Sequence, residues 1–312
     1  MILVTGSLAF DYIMDFPGVF IDHINTSSTH KINVSFLIDK LKKGYGGTAG
    51  NIAYNMALLN IRPMILGSVG EDFNEYKNFL TNSGVDTSGI KTIKGEFSSQ
   101  AYIVTDQKDD QIAAFYPGAM NSNKMLRIAD LSEKPEIVLI TPGGVEAMMN
   151  FVSECKALGI PYMFDPSQHI TALSDEQIKE GLQGAKIFIN NDYEYEMIKK
   201  RLEFSDEQFL DSAEIVIITK GAQGSVIKTK QGEINIKAAK TDGVSDPTGA
   251  GDAYRAGFIC GFQKKLDLKI CGQMGAIASC YTIEKYGTTS HTFSLEVFRA
   301  RYKQNFGEEL TI

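Results

Sequence analysis

What this sequence lacks narrows it first. Its 312 residues include only four cysteines, Cys155, Cys260, Cys271 and Cys280. Their spacing fits neither a metal site nor a redox pair, and three fall in apolar helical patterns. They read as small, reduced core residues of a cytoplasmic protein. Positive charge is also short: 31 Lys and Arg stand against 38 Asp and Glu, a net charge of −7, with no basic tract. That excludes nucleic acid as the main partner. No apolar run is long enough to cross a bilayer. The opening MILVTGSLAF has no basic leader and no cleavage site, so it reads as a first core strand rather than a signal peptide. There is no internal repeat and no low-complexity segment.

What is present is an alternation. Short apolar, β-rich runs (ILVTG, MILGSVG, EIVLITPGG, PYMFDPS, AKIFINN and EIVIITKG) are separated by amphipathic stretches such as NIAYNMALLN and VEAMMNFVSECKALG. Runs unbroken by charge suit strands covered on both faces. Strand–helix alternation predicts right-handed crossovers and a three-layer α/β/α sandwich around a mostly parallel sheet. Nearly every run ends in Gly, Ser, Asp, Asn or Thr, which places a polar site along the carboxyl rim. Two segments break the rhythm. SFLIDKL has strand-like character, and SSQAYIVTD and QIAAFYP read as two strands joined by the turn QKDD. Together they predict a small β lid over residues 10–43 and 97–117, inserted into an α/β domain of residues 1–9, 44–96 and 118–312. From Gly249 onward the pattern is mostly helical.

The chemistry concentrates in DPTGAGD, Asp246 to Asp252. Pro247 and Thr248 read as a turn into a helix, where first-turn amides lack intrahelical partners and the helix dipole adds positive charge. Gly249, Ala250 and Gly251 leave those amides bare, an anion site. Asp252 beside them suits a base that takes the proton of an acceptor hydroxyl in phosphoryl transfer. The same residues also suit close helix–sheet packing with an acid at a helix start. No Gly-Lys-Ser/Thr follows them, and no G-x-G-x-x-G is formed.

DPTGAGDAYRAGF resembles the C-terminal signature of the ribokinase-like (pfkB) carbohydrate and nucleoside kinase family. GGTAGNIAYNMALLN resembles its N-terminal signature, NDYE its N-x-x-E motif and TKGAQG its T-x-G-x-x-G turn, all in the family's order. GSLAFDYIMDFPG, NVSFLID, IAAFYPGAM and FDPSQ look like the bacterial adenosine kinases of ribokinase type. The resemblance implies Asp252 as general base and the Gly249–Gly251 amides as anion hole. It implies Asp11 as the acid gripping ribose hydroxyls, with Ser7, Ser35, Gly47 and Asn51 around the nucleoside. Gly46 and Gly47 would serve as hinge glycines, and Phe115 would stack on the base. Tyr102, on the neighbouring strand, is expected to share that pocket. Thr219, Gly221, Gly224 and Asn191 would lie along ATP, and Asn191 and Glu194 would act through Mg²⁺ and its waters. Asp246 and Thr248, with Gly287 nearby, match a monovalent-cation (K⁺) loop. For Arg255, charge near the phosphates competes with pairing to a surface acid, and the latter is preferred. HITALSDE lacks an arginine expected in some adenosine kinases.

The expectation is therefore an ATP-dependent kinase of the 5′-hydroxyl of adenosine or a similar ribonucleoside. A family sugar kinase acting on ribose or another sugar is the alternative, and a non-catalytic nucleoside-binding regulator the third reading. A homodimer paired through the exposed lid edge is a further expectation.

Overall fold

A short, β-rich run such as Ile2–Thr5, buried at all four positions, suits a strand with helices on both sides. A computed structural model describes residues 1–23, 34–108 and 110–312, so residues 24–33 of the lid segment, including Asn33 of NVSFLID, lie outside the description. The strands are β1 (Ile2–Thr5), β2 (Ala9–Asp15), β3 (Lys40–Gly46), β4 (Met64–Val69), β5 (Ile90–Thr92), β6 (Ser99–Thr105) and β7 (Gln111–Tyr116). They continue as β8 (Ile137–Ile140), β9 (Tyr162–Phe164), β10 (Ala185–Asn191), β11 (Ala213–Thr219), β12 (Ser225–Thr229) and β13 (Gly232–Ile236). The helices begin with α1 (Phe20–His23), α2 (Thr48–Leu58), α3 (Asn74–Asn82), α4 (Val145–Leu158) and α5 (Asp175–Leu182). They end with α6 (Asp192–Leu202), α7 (Asp206–Ser212), α8 (Ala250–Gln263), α9 (Leu268–Ile283) and α10 (Leu295–Phe306).

Nine strands form one sheet in the order β13-β12-β11-β10-β9-β8-β1-β4-β5. The pairs from β11 to β5 are parallel, whereas β12 and β13 are antiparallel. Alternation sorts the strand residues into two cores. Ile2, Val4, Ile137 and Leu139 join the side chains of α2, α8 and α9, whereas Leu3, Val138 and Ile140 join those of α4 to α7. Each such fully buried aliphatic side chain stabilises the fold by roughly 2 kcal/mol. The three layers expected from the alternation are present. The sequence reading omitted β5, which has three residues, and the β12–β13 hairpin, where Lys228, Lys230 and Glu233 break the apolar run. All four cysteines are free and buried. No helix among the described residues is long and apolar enough to cross a membrane.

A separate four-stranded sheet runs β3-β2-β6-β7. SFLIDKL is strand only from Lys40 onward. The preceding Phe36 packs on Phe16 and Phe20 at 4.8 and 5.0 Å between ring centres, an aromatic cluster in place of strand pairing. The QKDD turn is pinned by Asp106, which accepts amide hydrogen bonds from Phe20, Lys108 and Asp110. Register aligns Gly44 with Asp11, Asp11 with Ala101, and Ala101 with Phe115. Paired residues share a face, so Gly44, Asp11, Ala101 and Phe115 form one cross-strand row. Tyr102 corrects the expectation made for it: one step along β6, it takes the opposite face and stacks on Tyr12 at 5.0 Å.

Between α2 and α9 lies a buried imidazole. His291 Nε2 is 2.9 Å from Asn55 Oδ1 and 3.3 Å from Thr282 Oγ1, while its Nδ1 has no partner among the described residues. Burial pushes its pKa down from 6.5 to about 4. The depressed value means that the fold holds the neutral ring. Stability is intact above the unfolded pKa and is lost as pH falls through about 4. Between pH 7 and 4.5 this group should remove about 2.5 kcal/mol. Urea unfolding of wild type and His291→Gln at both pH values tests this; an equal pH-dependent loss in the two proteins would reject a neutral buried ring.

Candidate active site

The carboxyl ends of β1, β9, β10 and β11 face the start of α8, and the local turn there sets the chemistry. Gly249 takes φ 81°, a left-handed conformation that glycine enters without strain, and thereby turns the chain into the helix. The amides of Gly249, Gly251 and Asp252 have no acceptor among the described residues. Ala250 departs from the expected set of three: its amide donates to Pro247 O at 3.3 Å. The bare amides are therefore those of Gly249, Gly251 and Asp252.

Asp252 points its Oδ2 at Asn51 Nδ2, 2.8 Å away. Asn51 Oδ1 in turn accepts from Thr288 Oγ1 at 2.8 Å, and Thr288 Oγ1 also lies 2.9 Å from Tyr45 O. Asn51 thus holds the acid in place, and its second Nδ2 hydrogen remains available to a sugar. Burial raises the Asp252 pKa to about 6, against the opposing pull of Arg255 and the Asn51 hydrogen bond. A carboxylate held near neutrality is tuned for proton transfer at physiological pH.

Asp11 has the same character. Burial raises its pKa to about 6, and the charges of Asp246 and Asp252 push further, so the three acids lie within electrostatic range of one another. Its carboxylate has no hydrogen-bond partner among the described residues, and Gly46 makes the space it fills. A β-carbon on Gly46 would lie 2.1 Å from Asp11 Oδ2. Gly47 is needed for two reasons: its φ is 86°, and a β-carbon would sit 2.5 Å from Ser7 O. Ser7 is buried and accepts from the Thr48 amide at 3.0 Å, capping α2. Ser35 is exposed, outside any regular element. Phe115 is 51% exposed, on the face that carries Asp11.

On the other side of α8, Asn191 and Glu194 form a reciprocal cap on α6. The Glu194 amide donates to Asn191 Oδ1 at 2.8 Å, and the Asn191 amide to Glu194 Oε2 at 3.0 Å. Behind them Asn190 is fully buried, with its Oδ1 unpaired among the described residues. Among the described residues no three His, Cys, Asp or Glu cluster as a metal cage. Glu194 and the orphaned Asn190 oxygen fit a hard cation that keeps water and phosphate ligands, as Mg²⁺ does. Thr219 ends β11, with Oγ1 3.4 Å from Asn190 O. Gly221 has φ 52° and open space where a side chain would stand, whereas Gly224 is forced by the turn, since a β-carbon would meet Ile236 O at 2.0 Å. Asp246 joins two loops, accepting from the Thr248 amide at 2.9 Å and the Gly287 amide at 3.0 Å.

Three contributors had been given no role or the wrong one. Thr288 follows the Gly287 already noted but carries no motif. Asp165, within FDPSQ, is a fully buried acid at a strand end, and that combination was the available signal. Arg255 pairs with this buried acid through Nε and Nη2, and not with a surface acid. In HITALSDE, which has no arginine, the first residue His169 accepts from the Gly144 amide at 3.2 Å.

Comparison with known proteins agrees with this geometry. The model of the pfkB family carbohydrate kinases matches residues 9–293. A nucleoside kinase of Methanocaldococcus jannaschii is 34% identical over 289 residues, covering 92% of this chain and 91% of that protein. A nucleoside kinase of Burkholderia thailandensis, solved with inosine, superposes with a TM-score of 0.89 at 29% identity over 99% of both chains. Its complex described as ADP-inosine gives 0.87, over 99% of this chain and 97% of that one. A cradle of bare amides beside a tuned acid, within a chain matched almost end to end, has one meaning: this protein belongs to the pfkB family of carbohydrate kinases, phosphotransferases that act on an alcohol group.

Proposed function

We propose that the protein transfers the γ-phosphoryl group of ATP to the 5′-hydroxyl of a ribonucleoside, adenosine in the first place, giving AMP. The observation that carries the choice of a nucleoside over a free sugar is the row Asp11–Ala101–Phe115. Two strand spacings separate the acid from the ring, roughly 10 Å. The small Ala101 between them leaves a slot comparable in length to a purine nucleoside. In this reading Asp11 accepts from the vicinal ribose hydroxyls, and the base lies over Ala101 against Phe115. A free sugar would leave the exposed ring without a partner. The names of the archaeal relative and of the inosine-bound bacterial kinase support a nucleoside, and the latter makes inosine the first competitor for adenosine.

The chain's own residues then divide the work. Asn51 aims Asp252, and Asp252 takes the 5′-hydroxyl proton as the nucleoside oxygen approaches phosphorus. Gly249 and Gly251 amides hold the phosphoryl oxygens as charge spreads over them. Thr219 and Gly221 line the nucleotide's path. Asn191 and Glu194 would hold Mg²⁺ through water, and the ion would supply charge neutralisation on the phosphates. Asp246 and the Thr248 turn are proposed to hold a monovalent cation such as K⁺ that steadies the anion-hole loop. The four-stranded sheet is proposed to act as a lid that closes over the nucleoside and excludes water. The buried, unpaired thiols support a reducing, cytoplasmic setting.

The deciding experiment measures ADP production from ATP with adenosine, inosine, guanosine, cytidine, ribose and fructose 6-phosphate. Stacking of one base is worth about 1–3 kcal/mol, so adenosine should exceed ribose by about tenfold or more in kcat/KM. Phosphorylation of ribose with no nucleoside turned over would defeat the proposal.

A further inference from the structure

Arg255 stands one helical turn after Asp252 and is only 5% exposed. Asp165, at the end of β9, takes its Nε and, at 2.8 Å, its Nη2; Nη2 also donates to Ser167 Oγ at 3.2 Å. A bidentate pair with a fully buried carboxylate fixes the guanidinium plane. Nη1 is what remains. It has no hydrogen-bond partner among the described residues and is not one of the fully buried unpaired atoms, so it is open to a ligand or to water. It is aimed at the anion-hole turn, because a β-carbon built on Gly251 would lie 2.7 Å from it. Burial alone would lower the Arg255 pKa, yet the charges of Asp165, Asp252 and Glu194 raise it, so the cation faces the base as well.

An architectural strut would be complete with the Asp165 pair. Nothing in that role calls for a third nitrogen left open beside bare amides. We infer that Arg255 Nη1 is a direct ligand of the transferring phosphoryl group, completing the cradle begun by the Gly249 and Gly251 amides, with Asp165 as its positioning residue. This rests on the kinase reading above. In the step, O5′ forms its bond to Pγ while the bond from Pγ to the β–γ bridging oxygen breaks. That electron pair leaves with ADP, and the O5′ proton passes to Asp252. Arg255 exchanges no proton and supplies fixed positive charge.

The test uses the full chain with adenosine and ATP. Arg255→Met should lower kcat at least about 100-fold while KM for adenosine stays within about threefold. Arg255→Lys, which keeps charge but loses the fork, should recover part of that loss. Asp165→Asn should show a smaller fall in kcat, about tenfold, again without a change in KM. A folded Arg255→Met enzyme with near-normal kcat and a lowered Tm would overturn the inference in favour of a strut. If these variants fail to fold, the wild-type protein crystallised with adenosine, ADP and aluminium fluoride decides. Nη1 within about 3.2 Å of a fluoride supports the assignment, and Nη1 beyond about 5 Å from any fluoride overturns it. Wild-type protein inactive on every nucleoside would overturn the nucleoside reading, and this inference with it; an active wild type with an indifferent Arg255 removes the inference alone.

Discussion

Asp252→Asn is expected to lower kcat about 1,000-fold and yet to make the protein more stable. The loss follows from the role: general base catalysis contributes typically about 10²–10⁴, and an amide cannot accept the 5′-hydroxyl proton. The Asn51 hydrogen bond of 2.8 Å can be kept by the amide oxygen, so nucleoside affinity should change little. The gain follows from linkage. Burial raises the Asp252 pKa from 3.8 to about 6, so the neutral acid is the form the fold prefers. The stability this group offers at low pH is lost as pH rises through about 6. At pH 7.5 the fold therefore holds a disfavoured charge, and its removal should return on the order of 2 kcal/mol. That amounts to a few degrees in Tm. Steady-state kinetics and thermal unfolding at pH 7.5 check both halves. Near-normal kcat would reject the base, and an unchanged or lower Tm would reject the buried charge. Function held at the expense of stability is common where an acid must be kept away from water.

Asp11→Asn should act on the other kinetic parameter. Charge-assisted hydrogen bonds to two vicinal hydroxyls contribute about 1.5–3 kcal/mol each, and weakening both should raise the nucleoside KM by about 100-fold. The effect on kcat should be far smaller, because in the proposed pose Asp11 meets the sugar and not the reacting oxygen. Gly46→Ala provides a second test of the same point. It leaves the carboxylate in the sequence but places a methyl 2.1 Å from where Oδ2 now sits. Its KM should rise in the same direction, with the KM for ATP little changed. A nucleoside KM that ignores Asp11→Asn would remove the ribose assignment, whatever becomes of Asp252.

Much of the molecule was legible because burial writes itself into strand composition. ILVT, IVLI and YMF are covered on both faces, and their shortness with β-rich composition marks them as strands. The three layers followed from those runs and from the amphipathic stretches between them. Legibility failed where tertiary contacts, not periodicity, decide. Phe36 left strand pairing for an aromatic cluster, and the β12–β13 hairpin carries charge on its open side. In the site, the glycine turn with Asp252 stood out by its residue types, whereas Asp11 and Phe115 were marked only by the family resemblance. Asn51 was found without its bond to Asp252, since a sequence shows that an amide is present and not which acid it meets. Thr288 joins Asn51 across 237 positions, a link that no local pattern reveals. Tyr102 shows the opposite error: neighbouring strands suggested a shared pocket, whereas the two-residue period of the strand puts its ring on the far face.

The measurement that bears most directly on proton transfer to Asp252 is the single-turnover rate of phosphoryl transfer against pH, with adenosine and ATP saturating. With the acid tuned to about 6, the rate should be level above that pH and fall close to tenfold per unit below it. A rate independent of pH from about 5 to 8 would contradict it, because a carboxylate already protonated at the lower end could not be taking the hydroxyl proton.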